Sequence, residues 1–263
     1  MVFSFLKRRR RAKLLAEPFP PAWEDHLSGG FPQFAALPAA HQPRLRDRLR
    51  IFAAEKYWEG INGFDVNDEM RTIISAMACT LTLAFDDDEA LFPSVSRVLL
   101  FPETITRQMR QRRNGHVVTE DEEWHLGEAW STANSLTGGV IALAWTDVLR
   151  GGANPVDGKN VVYHEFAHAL DMADGAVEGT PPLGSISAEE EWTATLQSEL
   201  EELRRQYHQG FGIPIDPYGL TNPAEFFAVS TESYVERPRL LQLKLPRLYD
   251  LLDSFYRLTP AEW

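Results

Sequence analysis

The stretch His164-Glu165-Phe-Ala-His168 constrains this chain more than any other. It lies in a run whose apolar residues Val161, Val162, Phe166, Ala167, Ala169 and Leu170 suit a helix. Four residues turn a helix through about 400°, so the two histidines stand about 40° apart on one face. Two neutral imidazoles at that spacing fill two tetrahedral positions on a zinc ion. Glu165, beside them, suits a base that takes a proton from a metal-bound water and later returns it to a leaving amine. The plain alternative is an amphipathic helix carrying a surface glutamate and two histidines. The strand-forming run Gly139-Val-Ile-Ala-Leu-Ala-Trp145 weighs against it. A site that cleaves extended peptide needs an edge strand to hold it by main-chain hydrogen bonds.

A hydrolytic zinc site needs a third protein ligand and an open fourth position. Asp174, ten residues after His164, is one candidate. A motif continuing to residue 174 would need glycine at 171 to turn the chain, and Asp171 stands there. Residue 174 then falls near the helix end, with Gly175 as its stop. Glu225 is the other candidate. Asn222-Pro223 opens a later helix with proline in its first turn, and Pro223-Ala-Glu225-Phe-Phe-Ala-Val229 sets a carboxylate among apolar residues. A carboxylate buried there needs a partner. Glu225 also has capping-box spacing from Asn222, so bonding the helix start is its competing role. Glu232, two turns further on the same face, is the reserve, as ligand or as support for one. Asp171, one turn after His168, either orients a ligand imidazole or bonds backbone at the helix end.

Composition narrows the class. Lys and Arg number 26 against 38 Asp and Glu, a net charge of −12, which argues against a protein that coats nucleic acid. No apolar run reaches the roughly 18 residues of a membrane span. The single cysteine, Cys79, cannot form an internal disulfide and reads as a small core residue. Lys7, Arg8, Arg9, Arg10, Arg11 and Lys13 form a basic cluster, leaving 20 − 38 = −18 on the remainder. Residues 1–15 read as a basic, flexible, solvated tail, with a surface for anionic lipid or an acidic partner as the sharper alternative. The start does not read as a secretory signal, which suggests the cytoplasm. Residues 16–263 read as one domain.

The pattern is helix-rich α+β with a small mixed sheet. Helices are expected over Gln42–Glu55, from an Asn67 cap to about Phe85, over about Asn160–Met172, from a Ser187/Glu190 capping box to about Tyr207, and from Asn222 onward. Strands are expected at Val95–Phe101, His116–Thr119 and Gly139–Trp145. The segment Arg237–Leu258 reads as leucine-rich helix broken near Pro246, either core packing or a cover over the cleft. Asp86-Asp87-Asp88-Glu89 lacks the spacing of a calcium loop and reads as a solvated helix end. Trp124, Trp130, Trp145 and Trp192 read as core.

These motifs resemble the MtfA (Mlc titration factor A) family of zinc peptidases. The resemblance rests on His164-Glu-Phe-Ala-His168-Ala-Leu-Asp171, Asp216-Pro-Tyr218 and Asn222-Pro-Ala-Glu225-Phe-Phe-Ala-Val229. It also rests on Gly127-Glu-Ala-Trp130 and Phe52-Ala-Ala-Glu-Lys56, and covers about residues 20–258. It implies a zincin-like fold of the gluzincin type, similar in catalytic core to the anthrax lethal factor protease domain. It implies one Zn2+ held by His164, His168 and Glu225, with Glu165 as general base. It implies that Tyr218 stabilises the oxyanion; without the resemblance Tyr218 would be a turn aromatic. Aminopeptidase-like action on peptides and binding of a transcriptional repressor are further implications. The rival expectation is a non-catalytic protein that sequesters a repressor, its zinc site structural or vestigial.

Overall fold

A computed structural model describes residues 2–86, 91–103 and 139–263. Along the chain run α1 (Val2–Ala16), α2 (Pro21–Gly30), α3 (Gln33–Ala36), α4 (His41–Glu55), β1 (Tyr57–Gly60) and α5 (Asp68–Leu81). Then come β2 (Arg97–Phe101), β3 (Val140–Ala144), α6 (Trp145–Ala153), α7 (Val161–Asp171) and α8 (Ile186–His208). The chain closes with α9 (Pro223–Glu236), α10 (Pro238–Lys244) and α11 (Pro246–Tyr256). This is the expected helix-rich α+β arrangement. The expected strand at His116–Thr119, Trp124, Trp130, Gly127–Trp130 and most of the acidic run at 86–89 lie outside the described residues.

The described strands form one sheet in the order β1-β2-β3, with both pairings parallel, where the pattern had suggested a mixed sheet. β3 is an edge among the described strands and leads directly into α6. The short β1 has no apolar alternation to announce it. Lys56, just before it, donates through Nζ to the carbonyls of Phe92 and Val95 at 2.8 and 2.6 Å, tying β1 to the approach to β2.

Helix ends follow local chemistry. Asn67 caps α5 by accepting from the Met70 N–H at 3.0 Å. α5 stops at Leu81, short of the expected Phe85. The cap of α8 is Ser185, which accepts from Ala188 N–H, and not Ser187. Glu189 accepts from Leu183 N–H at 3.2 Å and so ties down the chain just ahead of the cap. The expected tail is helical as α1, and Arg11 forms a two-pronged pair with Glu55 of α4, 2.7 Å for each contact.

α7 lies at the centre of the core. Phe166 on its inner face meets Phe52 at 5.6 Å and Phe92 at 4.7 Å, both edge-to-face. Truncating such a buried ring to alanine costs about 3–5 kcal/mol. α9 packs against α7 and is buried along nearly its whole length. In the C-terminal helices Leu241, Leu245, Leu248 and Leu252 are core residues, so the leucine-rich segment packs the interior. Cys79 is fully buried, and burial pushes its thiol pKa up to about 12, as suits a packing residue. No described helix is long and apolar enough to cross a membrane.

Candidate active site

Asn160 starts the site by starting α7. Its Oδ1 accepts from the N–H groups of Val162 and Tyr163 at 3.1 and 3.3 Å. The helix it begins projects His164 and His168 from one face, one turn apart, with ring centroids 4.8 Å apart. Their Nε2 atoms face each other at 3.2 Å. Glu225 comes from the first turn of α9, where Asn222 accepts from the Glu225 N–H at 2.9 Å. Thus the backbone of Glu225 takes part in capping, while its carboxylate turns to the histidines. Glu225 Oε2 is 3.1 Å from His164 Nε2 and 3.5 Å from His168 Nε2.

The three ligand atoms lie within 4.8 Å of one another, two ring nitrogens and one carboxylate oxygen. Zinc is commonly held by that donor set. The protein alone leaves the cluster poorly satisfied. Glu225 Oε2 is buried without an aligned hydrogen bond, although close to both rings. The two facing imidazole nitrogens satisfy one another only if one of them carries a proton. A divalent cation answers all three groups, so the residues fit the metal.

The electrostatics agree. Burial alone would lower the His164 pKa, but Glu225 and Glu232 outweigh it and hold the imidazole well above its usual range. Burial raises the Glu225 pKa, and hydrogen bonding and charge from His164 and His168 override it, leaving the carboxyl far below normal.

The other expected residues take distinct places. Glu232 lies two turns beyond Glu225, with Oε1 2.9 Å from His164 Nδ1, and its other oxygen accepts from the Asn160 backbone N–H. Glu165 is buried within α7, and its charge acts on His164. The Tyr218 ring centroid is 6.1 Å from that of His164. Tyr218 sits in a 3-10 turn, Pro217–Leu220, whose cap Asp216 accepts from the Tyr218 N–H at 2.9 Å. Asp174 is exposed at the end of a 3-10 turn and accepts from Ala176 N–H, away from the cluster. Asp171 is fully buried and accepts from Gly179 N–H at 2.9 Å. It does not orient a ligand ring by a hydrogen bond, since His168 Nδ1 has no hydrogen-bond partner among the described residues. Gly179 also accepts from Trp192 Nε1 at 2.8 Å and sits against the Pro223 carbonyl. The loop over residues 176–185 therefore packs against both the end of α7 and the start of α9.

Three supports went unread in the sequence. Glu236, one turn beyond Glu232, accepts from Gly158 and Lys159 N–H groups, both at 3.1 Å, and from Asn160 Nδ2 at 3.0 Å. Asn160 had a weak signal, a capping residue ahead of an apolar run. Lys159 had none, and its Nζ pairs with Asp216 Oδ2 at 2.6 Å, linking the start of α7 to the Tyr218 turn.

A His-Glu-x-x-His helix, a glutamate from a later helix and a small sheet define a zinc metallopeptidase of the gluzincin type. The chain belongs to the family described as glucose-regulated metallo-peptidase M90, whose profile matches residues 5–257. It is 35% identical over 251 residues to the uncharacterized protein slr2042 of Synechocystis sp., covering 95% of this chain and 89% of that one. It is 26% identical over 245 residues to Mlc titration factor A of Salmonella agona, covering 91% of this chain and 87% of that protein. The Mlc titration factor A of Escherichia fergusonii is 25% identical over 242 residues, with the same two coverages.

Proposed function

We propose that this metallopeptidase acts on short peptides in the manner of an aminopeptidase, with Glu165 as the group that moves the proton. The observation that carries the reading is the convergence of His164 Nε2, His168 Nε2 and Glu225 Oε2 at 3.1 to 3.5 Å. His164, His168 and Glu225 would hold zinc, which supplies a Lewis acid that polarises the scissile carbonyl and acidifies water. Glu165 takes the proton from the attacking water and delivers it to the departing amine. Tyr218 donates its phenolic hydrogen to the carbonyl oxygen as negative charge develops there. Glu232 holds His164 in the tautomer that leaves Nε2 free for the metal. Substrate lies along the edge strand β3 by main-chain pairing. The exopeptidase preference and a catalytic core like that of lethal factor rest on the family resemblance.

Glu165→Gln tests the reading. The variant is expected to keep stoichiometric zinc and lose at least a hundredfold in hydrolysis. Wild-type rates in the variant would overturn the role. Blocking the substrate amine by acetylation should abolish cleavage if the action is exopeptidase.

One observation favours a second reading, that of a binding protein. The Salmonella and Escherichia relatives are called Mlc titration factors. On this reading the chain sequesters a transcriptional repressor in the cytoplasm, with zinc in a structural role. It prevails if wild type hydrolyses no peptide while repressor binding survives His164→Ala.

A further inference from the structure

We propose that the outer face of α1 is a docking surface for an anionic lipid membrane. The helix has two unlike halves. Its C-terminal half is seated on the protein: Leu14 and Leu15 pack against the core, Arg50 donates to the Leu14 carbonyl, and Arg11 pairs with Glu55. Its earlier half projects. Phe5 is 65% exposed and Leu6 54%. Lys7, Arg8, Arg9 and Arg10 are exposed as well, and so is Lys13.

Helical spacing sorts these side chains. Taking about 100° per residue, Leu14, Leu15 and Arg11 share one side, toward α4. Phe5, Leu6, Arg9 and Lys13 fall on the other, with exposed Arg10 at its margin, where its guanidinium also reaches the Ala54 carbonyl of α4 at 3.5 Å. That face thus combines a large aromatic ring and an aliphatic side chain with three cations. Solvation accounts for cations on an exposed helix, but not for two large apolar side chains beside them. A bilayer surface answers both, because the apolar groups enter the acyl boundary while the cations meet anionic headgroups.

The charge distribution gives the surface a direction. The six cations of Lys7–Lys13 stand on a chain whose remainder is −18. An anionic membrane repels the body and attracts this one helix, so the molecule would approach α1 first. A nucleic acid or a purely acidic protein surface would satisfy the cations but would leave Phe5 and Leu6 in water, whereas lipid takes up both.

The test is co-sedimentation of the full chain with vesicles of phosphatidylcholine alone or containing about one third phosphatidylserine. Partition into the anionic vesicles should exceed that into neutral ones by at least tenfold and be lost in about 0.5 M salt. Arg9→Gln/Arg10→Gln/Lys13→Gln should lower it at least tenfold. Phe5→Ser/Leu6→Ser should also weaken it, and leave the residual binding more salt-sensitive. All five positions are exposed, so zinc content and melting temperature should match wild type. Equal partition into both vesicles, no partition, or wild-type binding by either variant overturns the proposal. So does preference for polyanionic DNA or an acidic protein over the vesicles.

Discussion

Glu232 Oε1 lies 2.9 Å from His164 Nδ1, and the same carboxylate receives the backbone N–H of Asn160, the residue that caps the His164 helix. One side chain of α9 therefore fixes both where α7 begins and how its first histidine is turned. Proton placement follows. In the neutral ring that a metal requires, Nδ1–H donates to Glu232 and the lone pair of Nε2 is turned toward His168 and Glu225.

Removing that acceptor should loosen the metal without emptying the site. Glu232→Gln is expected to weaken zinc binding by about 10–100-fold. Glu225→Ala should leave the purified protein largely zinc-free, and Asp174→Ala should bind like wild type. Competition with a chromogenic chelator measures all three. Zinc-free Asp174→Ala with loaded Glu225→Ala would refute the ligand set.

Zinc should compete with protons. In the metal-free protein Glu225 and Glu232 outweigh burial and hold the His164 pKa well above its usual value. A ligand imidazole must be neutral, so metal uptake releases a proton. Apparent affinity is expected to fall about tenfold per pH unit below the His164 pKa. Calorimetry in buffers of different ionisation enthalpy reads the proton directly.

Glu236 should make stability depend on pH. Burial raises its pKa to about 8 despite the hydrogen bond from Asn160, with Glu232 and Asp157 adding repulsion. The folded state thus holds a proton that the unfolded chain releases near its ordinary pKa of 4.5. That contribution is complete below about pH 4.5 and disappears as pH rises through about 8. Urea denaturation of wild type and Glu236→Gln across that interval should show a shallower decline in the variant.

Gly179 should resist replacement. Its φ is +75°, and a Cβ would lie 2.3 Å from the Pro223 carbonyl oxygen. Gly179→Ala is expected to cost about 1–3 kcal/mol through backbone strain and displacement of the α9 start. Zinc affinity should fall with stability, because Glu225 is two residues beyond Pro223. A melting curve and a zinc titration on the same sample check both.

Local order was legible wherever it was written in neighbouring residues. The pair His164 and His168 follows from helical spacing, and the Asn67 and Asn222 caps from one polar side chain reaching N–H groups three residues on. Ser187 has the capping-box spacing to Glu190, whereas Ser185 has alanine three residues on, so spacing favours the wrong serine and only the folded chain selects Ser185. Spacing leaves Asp171 open between a ligand ring and nearby backbone, and the hydrogen bond from Gly179 N–H, which a left-handed turn folds back upon it, matches the backbone alternative.

The sequence by itself determined the chemistry: two imidazoles on one helical face, a carboxylate beside them, and another carboxylate in an apolar run. Only the tertiary structure decided that Glu225 turns to those rings and that Glu232 and Glu236 brace the helix they stand on. The reason is physical. Spacing along a helix is set by the backbone and can be counted. The approach of α9 to α7 is set by burial of side chains far apart in the chain, and charge can be kept there only where opposite charge, N–H groups or a metal meets it.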